Sequence, residues 1–288
     1  MTEDPFVVHR GLLFTVAYEM LGSAADAEDV LQESWLRWAQ VDHSQVHDSR
    51  AYLLRVITRQ ALNRLRTQAR RREDYVGEWL PEPLLTSPDV ADDVEFAENI
   101  SMAMLTVLET LGSTERVVFV LREVFGTPYD QIAEALGKST VAVRQIARRA
   151  RDHVVARRPR VHVDQSEQRA VVERFLGAVR SGEVQALMQV LAPDVVFIAD
   201  GGGLAPAARI PVQGADRVAS SIARASRRAT AMEAETIWLN GAPGARIEID
   251  GQLAVISLVV EDGLVTQIFA VANPRKLTRL SEPAELAR

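Results

Sequence analysis

Three groups of side chains in this 288-residue chain could bind charge or read a nucleic acid. Arg144, Gln145, Arg148 and Arg149 follow closely on Lys138, Ser139 and Thr140. Arginine can bond guanine edges or phosphates, and glutamine can pair with adenine. Lys138 and Ser139 stand where a helix N-terminus would meet a phosphate backbone. The second group is Arg55, Arg59, Arg64, Arg66, Arg70, Arg71 and Arg72, which suits a phosphate track that adds affinity and little base information. If all seven met phosphates, the salt slope on duplex DNA would reach about −6. The third is an acidic stripe, Asp26, Asp29 and Glu33 at i, i+3 and i+7, with Gln32 beside it and Val30, Leu31, Trp35 and Trp38 as apolar surface. Such a stripe can pair with a basic partner helix, although a solvated helix face is its commoner fate. Trp35 and Trp38 are more often core than interface.

Acid–base chemistry has one obvious candidate. Residues 163–288 hold no His, Tyr or Cys, so a proton-transfer role there falls to Asp or Glu, with Asp200 first. Sites of ketosteroid-isomerase type use an Asp base in that way. Yet Asp200 is followed by Gly201, Gly202 and Gly203, which reads first as a turn that lets another backbone approach closely. A structural or docking role is therefore favoured, and no catalytic residue is assigned. The chain has no cysteine, which excludes disulfides and thiolate metal sites, and no metal or cofactor is expected.

These groups need elements to position them. Tyr129, Ile132, Ala133 and Leu136 repeat at helical spacing, Gly137 stops that helix, and Ser139 caps a second one with Val143, Ile146 and Ala147 inward. Two short helices joined by a glycine turn, with a basic outer face, describe a helix-turn-helix. Upstream, Phe6 to Leu21 reads as an amphipathic helix, 24–39 as a second helix capped by Ser23, and 51–72 as a long one. Residues 41–49 are polar and loop-like. Residues 73–98 carry nine acids, no basic residue and three closely spaced prolines, as a linker would, but Trp79-Leu80-Pro81-Glu82-Pro83 is too apolar for a loose tether. Helices resume from Asn99 to about residue 157. Beyond that, helices over 168–180 and 184–191 precede strand-like runs at 195–199, 237–239, 245–249, 253–260 and 264–272. Asp250-Gly251 and Glu261-Asp262-Gly263 mark turns, and the whole implies a curled antiparallel sheet in an α+β domain.

Net charge is −6, but 52–72 and 144–160 each hold seven arginines, so two local fields are strongly positive. No apolar run reaches membrane-spanning length and the first residues are no signal peptide, so the expected compartment is the cytoplasm with no membrane partner.

In this order the motifs resemble a family. Residues 1–158 resemble an extracytoplasmic-function (ECF) sigma factor of bacterial RNA polymerase, carried by DAEDVLQESWLRW (26–38), SRAYLLRVITRQALNRLRTQARRR (49–72) and YDQIAEALGKSTVAVRQIARRAR (129–151). The last ~125 residues, a stretch of ordinary domain size, resemble a SnoaL-like cone-shaped α+β barrel. One ECF subgroup carries such a barrel, marked by WLPEP, DGGG and NPDKL-like motifs. Here these are Trp79 to Pro83, Asp200 to Gly203, and Asn273, Pro274, Arg275, Lys276, Leu277, with Arg275 where the subgroup has an acid.

The resemblance implies a multidomain fold: sigma region 2 over 1–72, the linker over 73–98, the region 4 helix-turn-helix over 99–160, and a SnoaL-like regulatory domain over 161–288. It implies that Asp26, Asp29, Val30, Leu31, Gln32 and Glu33 contact core RNA polymerase at the β′ clamp, with the β flap as a further contact. It implies that the 49–72 helix melts and reads the −10 promoter element, and that the loop at 41–49 holds a flipped base, with His43, Ser44 and Gln45 as candidates. The helix-turn-helix would read the −35 element. The barrel would dock on the linker and regulate in cis, without a separate anti-sigma factor, and its hollow interior leaves room for an unidentified small-molecule ligand. Two alternatives stand beside this: a DNA-binding sensor or enzyme that uses the barrel pocket, and a helix-turn-helix repressor.

Overall fold

The computed structural model describes residues 4–72, 74–157 and 164–288, with the backbone alone at 69–72. The chain forms two compact units. The first draws on residues 4–72, 104–157 and 285–288, and the second on 74–103 and 164–284. Neither unit is a continuous stretch: the linker belongs with the C-terminal barrel, and the last four residues belong with the helical unit.

In chain order the helices begin with α1 (Pro5–Val8), α2 (Arg10–Leu21), α3 (Ala24–Trp38), α4 (Ser49–Arg72), α5 (Val94–Ile100) and α6 (Met102–Leu108). They continue with α7 (Ser113–Phe119), a π-helical turn at Val120–Val124, α8 (Tyr129–Leu136) and α9 (Thr140–Val155). The single amphipathic helix expected from Phe6 to Leu21 is two pieces broken at His9. Every residue from Leu12 to Leu21 is buried, because α2 packs against α3, α4 and the π-turn and so has no solvent face. Ser23 caps α3 by accepting from the Asp26 N–H at 3.2 Å, as its type and position require.

The second unit continues with α10 (Gln165–Ser181) and α11 (Val184–Met188), then β1 (Leu191–Asp200), β2 (Val212–Gln213), α12 (Ala215–Arg228), β3 (Met232–Leu239), β4 (Ala242–Ile249), β5 (Gln252–Glu261) and β6 (Leu264–Val271). The strands form one sheet in the order β2-β1-β6-β5-β4-β3, open between β2 and β3, so the expected barrel is an open one, a curved, unclosed sheet. The expectation of an antiparallel sheet fails at one joint: β1 and β6 run parallel, with Asp200 opposite Val271. Register shifts in β1 and between Val259 and Val260 of β5 bend the sheet. Asn240-Gly241, Asp250-Gly251 and Asp262-Gly263 all have positive φ at both positions, so each closes a hairpin of the mirror-image turn type.

Alternation with period two sends the strands' side chains into two cores. Ile256, Leu258, Ile268 and Ala270 meet Val172, Phe175 and Leu176 of α10 and Val218, Ala219 and Ala223 of α12. Val255, Phe269 and Val271 point the other way, where they pack with Leu80, Met102, Leu239 and Leu277. The sheet's second face is thus covered by residues drawn from the linker and its flank.

Candidate functional site

The basic face of α9 is exposed. Gly137 adopts φ 62°, and the Lys138 N–H bonds the Ala133 carbonyl at 3.0 Å, closing α8. Ser139 then caps α9 by accepting from the Ala142 N–H at 3.2 Å. Val143, Ile146, Ala147 and Ala150 are buried, while Lys138, Ser139, Arg144, Gln145, Arg148 and Arg149 are exposed and Thr140 is half-buried. Arg144 lies 5.6 Å from the Tyr129 ring centroid, and Arg149 is 3.8 Å from Glu115. This one face therefore presents the whole expected set of base and phosphate readers.

The arginines of α4 are placed otherwise. Arg55 bonds and pairs with Glu134 of α8. Arg59 donates to the Ala135 carbonyl at 3.0 Å and the Glu134 carbonyl at 3.2 Å, at the negative end of that helix. Arg64 pairs with Asp26 at 2.7 Å and with Asp29. Arg66 is exposed, and the side chains of Arg70, Arg71 and Arg72 lie outside the described residues. A continuous, solvent-facing phosphate track is thus not what this state displays, because three of its members already hold acceptors within their own unit.

The acidic stripe of α3 is likewise engaged. Gln68 donates to Asp26 at 2.5 Å and Gln60 to Glu33 at 2.9 Å, while Asp29 and Gln32 face solvent. Val30 and Leu31, expected at the partner surface, are 1% and 3% exposed. They are turned into the helical core, so the available face of α3 is polar. Trp38 is buried, with its ring N–H on Asp4 at 3.0 Å and His43 stacked on it at 4.1 Å. Trp35 stays partly exposed, edge-on to Phe6. Ser44 is turned onto the Asp42 carboxylate, whose pKa is lowered mainly by that hydroxyl. Gln45 lines a cavity of about 440 Å³ between the 41–48 loop, Tyr52, Arg55 and the α8 residues Gln131 and Glu134. Glu134 therefore walls the cavity and holds its arginine at once.

The linker is bound to the barrel through a buried polar cluster. Leu80 is 1% exposed, and Pro81, Glu82, Pro83 and Leu84 are also buried. The Leu80 N–H donates to Asp200 Oδ2 at 2.9 Å, and the Leu80 carbonyl accepts from Lys276 Nζ at 2.5 Å. Asp200 and Lys276 pair at 2.7 Å. Asp200 Oδ1 accepts from the Tyr75 hydroxyl at 2.5 Å, and Asn273 donates to that hydroxyl at 2.8 Å. Burial first, and the Asp200 bond second, push the Tyr75 pKa up, so it remains a proton donor. Lys276 Nζ lies 3.3 Å from the Trp79 ring centroid, a cation–π contact. The glycines after Asp200 are explained by close approach: a Cβ at Gly201 would stand 2.3 Å from the Ala205 carbonyl oxygen, and one at Gly202 would stand 2.2 Å from Asn273 Nδ2. At Gly203 it would meet Val76 of the linker at 3.2 Å. Arg275 is exposed; its N–H bonds the Asn273 side chain, and its charge reaches the cluster only as a minor field that opposes the rise of the Tyr75 pKa. Pro274 is exposed and Leu277 is buried under Leu80's cluster.

A second attachment escaped the sequence reading. The Leu84 N–H donates to Asn240 Oδ1 at 3.0 Å, and the Asn240 N–H returns to the Leu84 carbonyl at 2.9 Å. Thr86 N–H bonds the Trp238 carbonyl at 3.0 Å, and Leu85 bridges Leu239. The linker thereby covers β3, an edge strand of the sheet. Asn240-Gly241 is a strong hairpin signal and could have been read; Tyr75 and Glu134 carry no local signal of their roles.

Comparison with known proteins agrees with this layout. The family models for sigma-70 region 2 and sigma-70 region 4 match residues 6–71 and 101–154. The ECF RNA polymerase sigma factor SigJ of Mycobacterium tuberculosis is 38% identical, over 96% of this chain and 94% of that protein. The probable ECF RNA polymerase sigma factor SigI of the same species is 34% identical, over 94% and 93% respectively. The crystal structure of Mycobacterium tuberculosis SigJ superposes with a TM-score of 0.75 at 34% identity, covering 96% of this chain and 98% of that one.

Proposed function

This chain belongs to the ECF RNA polymerase sigma factors, and we propose that it is one whose regulator is the fused barrel acting through the linker. As an alternative sigma factor it binds core RNA polymerase and directs promoter-specific initiation. In the proposal, Asp26, Asp29, Gln32 and Glu33 meet the β′ clamp, region 4 meets the β flap, α9 reads the −35 element, and α4 with the 41–49 loop reads the −10 element. Its site of action is then the cytoplasm, where core polymerase works.

One observation carries the regulatory part. Leu80, between the two sigma regions in sequence, has its N–H on Asp200 and its carbonyl on Lys276, both buried. That arrangement favours docking over catalysis, because both oxygens of Asp200 are occupied and no free base remains at that residue. On this reading no separate anti-sigma factor is required. The cavity of about 370 Å³ beside Gly201 to Arg209, walled by Val76 and Gly77, is the place where a small molecule could act on the linker.

The helical unit is read as a closed, inactive form. Elements at −10 and −35 are about 25 base pairs apart, or ~85 Å at 3.4 Å per pair. Helices α4 and α8 are in contact in this form, so the two regions cannot engage both elements until they separate.

The test is transcription in vitro with core polymerase on a genomic library of templates, comparing wild-type, Asp29→Arg and Lys276→Met proteins. The expected result is initiation that Asp29→Arg abolishes and Lys276→Met alters in rate. Unchanged initiation with Lys276→Met removes the cis-regulatory part. No initiation by folded wild-type protein with active core polymerase removes the placement of these contacts.

A further inference from the structure

Residues 285–288 are counted with the helical unit although the residues before them belong to the barrel. They lie along one stripe of α2. Gly11, Thr15 and Glu19 follow at i, i+4 and i+8, the spacing of a single helix face. At Gly11 an added Cβ would stand 3.3 Å from the Ala287 Cβ, so the missing side chain is what lets the segment approach. The Thr15 hydroxyl donates to the Gly11 carbonyl at 2.8 Å and accepts from the Ala287 N–H at 3.1 Å, which leaves it satisfied on both sides. Arg288 donates to the Val124 carbonyl at 3.2 Å, at the end of the π-turn that follows α7. Its guanidinium also faces the field of Glu19, a wholly buried carboxyl whose oxygens have no hydrogen-bond partner among the described residues.

Thr15 lies in sigma region 2 and Val124 in sigma region 4. Two successive residues of one short segment therefore hold one region each. We propose that residues 287 and 288 are a clasp that fastens region 2 to region 4, and that its release lets the two regions separate. The segment lies on the surface, with Ala287 against Gly11 and Arg288 at Val124 while both stay exposed, and the occupant is this chain's own segment. Because the segment is covalently continuous with the barrel's sequence, whatever displaces it acts on both sigma regions in one step. The inference rests on reading the compact helical unit as the inactive form.

The chain has no cysteine, so two can be introduced for fluorescence energy transfer at exposed positions, Gln40→Cys and Asp152→Cys. The full-length labelled protein is compared with a version lacking 285–288, with Gly11→Leu, which fills the seat of Ala287, and with Glu134→Arg. Circular dichroism checks that each is folded; should the deletion unfold, Gly11→Leu decides. The expected result is high transfer in the parent and a shift to low transfer in both clasp variants. A peptide of residues 281–288, SEPAELAR, added in trans should restore transfer to the deletion and fail with Gly11→Leu. Parent-like transfer in both clasp variants, with low transfer in Glu134→Arg, overturns the clasp while the closed form stands. Low transfer in the parent, unaltered by Glu134→Arg, overturns the closed form and the clasp with it.

Discussion

Lys276 Nζ lies 2.7 Å from Asp200 Oδ2, and the two charges are 8% and 0% exposed. A buried pair of this kind is costly to break from one side, by about 3–5 kcal/mol, because the survivor keeps an uncompensated charge. Lys276→Met should therefore destabilise the barrel by that order in urea unfolding. It should also free the Leu80 carbonyl, so limited proteolysis within 74–86 should quicken. Asp200→Asn, which keeps an acceptor for the Leu80 N–H, should cleave more slowly than Lys276→Met.

The Arg55–Glu134 pair offers a test of the proposed closed form. Both side chains are partly exposed, so the pair itself contributes no more than about 1 kcal/mol. Glu134→Arg replaces attraction with repulsion and should raise initiation several-fold in a core-polymerase assay. Arg55→Ala removes the same contact and also a phosphate ligand, so it should lower initiation. If the two substitutions change the rate in the same direction, Glu134 is not acting as a stand-in for the promoter backbone.

Glu19 gives the helical unit a pH dependence. Burial raises its pKa from 4.5 to about 8, against the opposing fields of Arg116 and Arg288. Between those values the folded state keeps a proton that the unfolded chain has lost. Stability from this group should thus fall as pH rises from about 4.5 to about 8, by up to ~1.4 kcal/mol per unit, and level off above. Glu19→Gln should flatten the curve, which urea unfolding at pH 5.5, 7 and 8.5 will show.

Exposure on α9 and pairing on α4 predict different salt responses. For the protein without polymerase on duplex DNA carrying its −35 element, Arg148→Ala should reduce the slope of log K against log salt by about 0.9. Arg64→Ala should leave it nearly unchanged, since Arg64 is held by Asp26 and Asp29. Equal losses from the two would mean that the α4 arginines are released on binding.

What could be read in advance was what depends on neighbours in sequence. Gly137 and Ser139 end and start helices through bonds spanning only a few residues, and they do so as expected. The apolar Trp79-Leu80 stretch inside an acidic linker announced burial, though not against which acid or lysine. The partners of Arg55 and Arg59 are more than 70 residues away, and a run of arginines tells where charge is without telling which acceptor it meets. Helix α12 was legible but not read: Ala215, Val218, Ala219 and Ala223 repeat at helical spacing opposite a face of arginines and serines. The parallel joint of β1 and β6 is a property of two strands far apart in sequence. The resemblance of 26–38 to a polymerase-binding helix puts Val30 and Leu31 at a surface with the acids, whereas helix periodicity turns them away from that stripe.

The seam between Leu84 to Thr86 and β3 bears on inheritance. A barrel made from 164–288 alone would expose that strand's free edge and lose Leu80 from its second core, so it should aggregate on expression. Removing the stretch between the two sigma regions would sever the barrel from its wall and take Met102, at the start of α6, with it. Recombination among such genes could therefore exchange promoter readers only if the stretch between them travelled with the barrel and the incoming regions kept a seat for residues 287 and 288, which makes linker and barrel a single hereditary piece despite being interrupted in the chain.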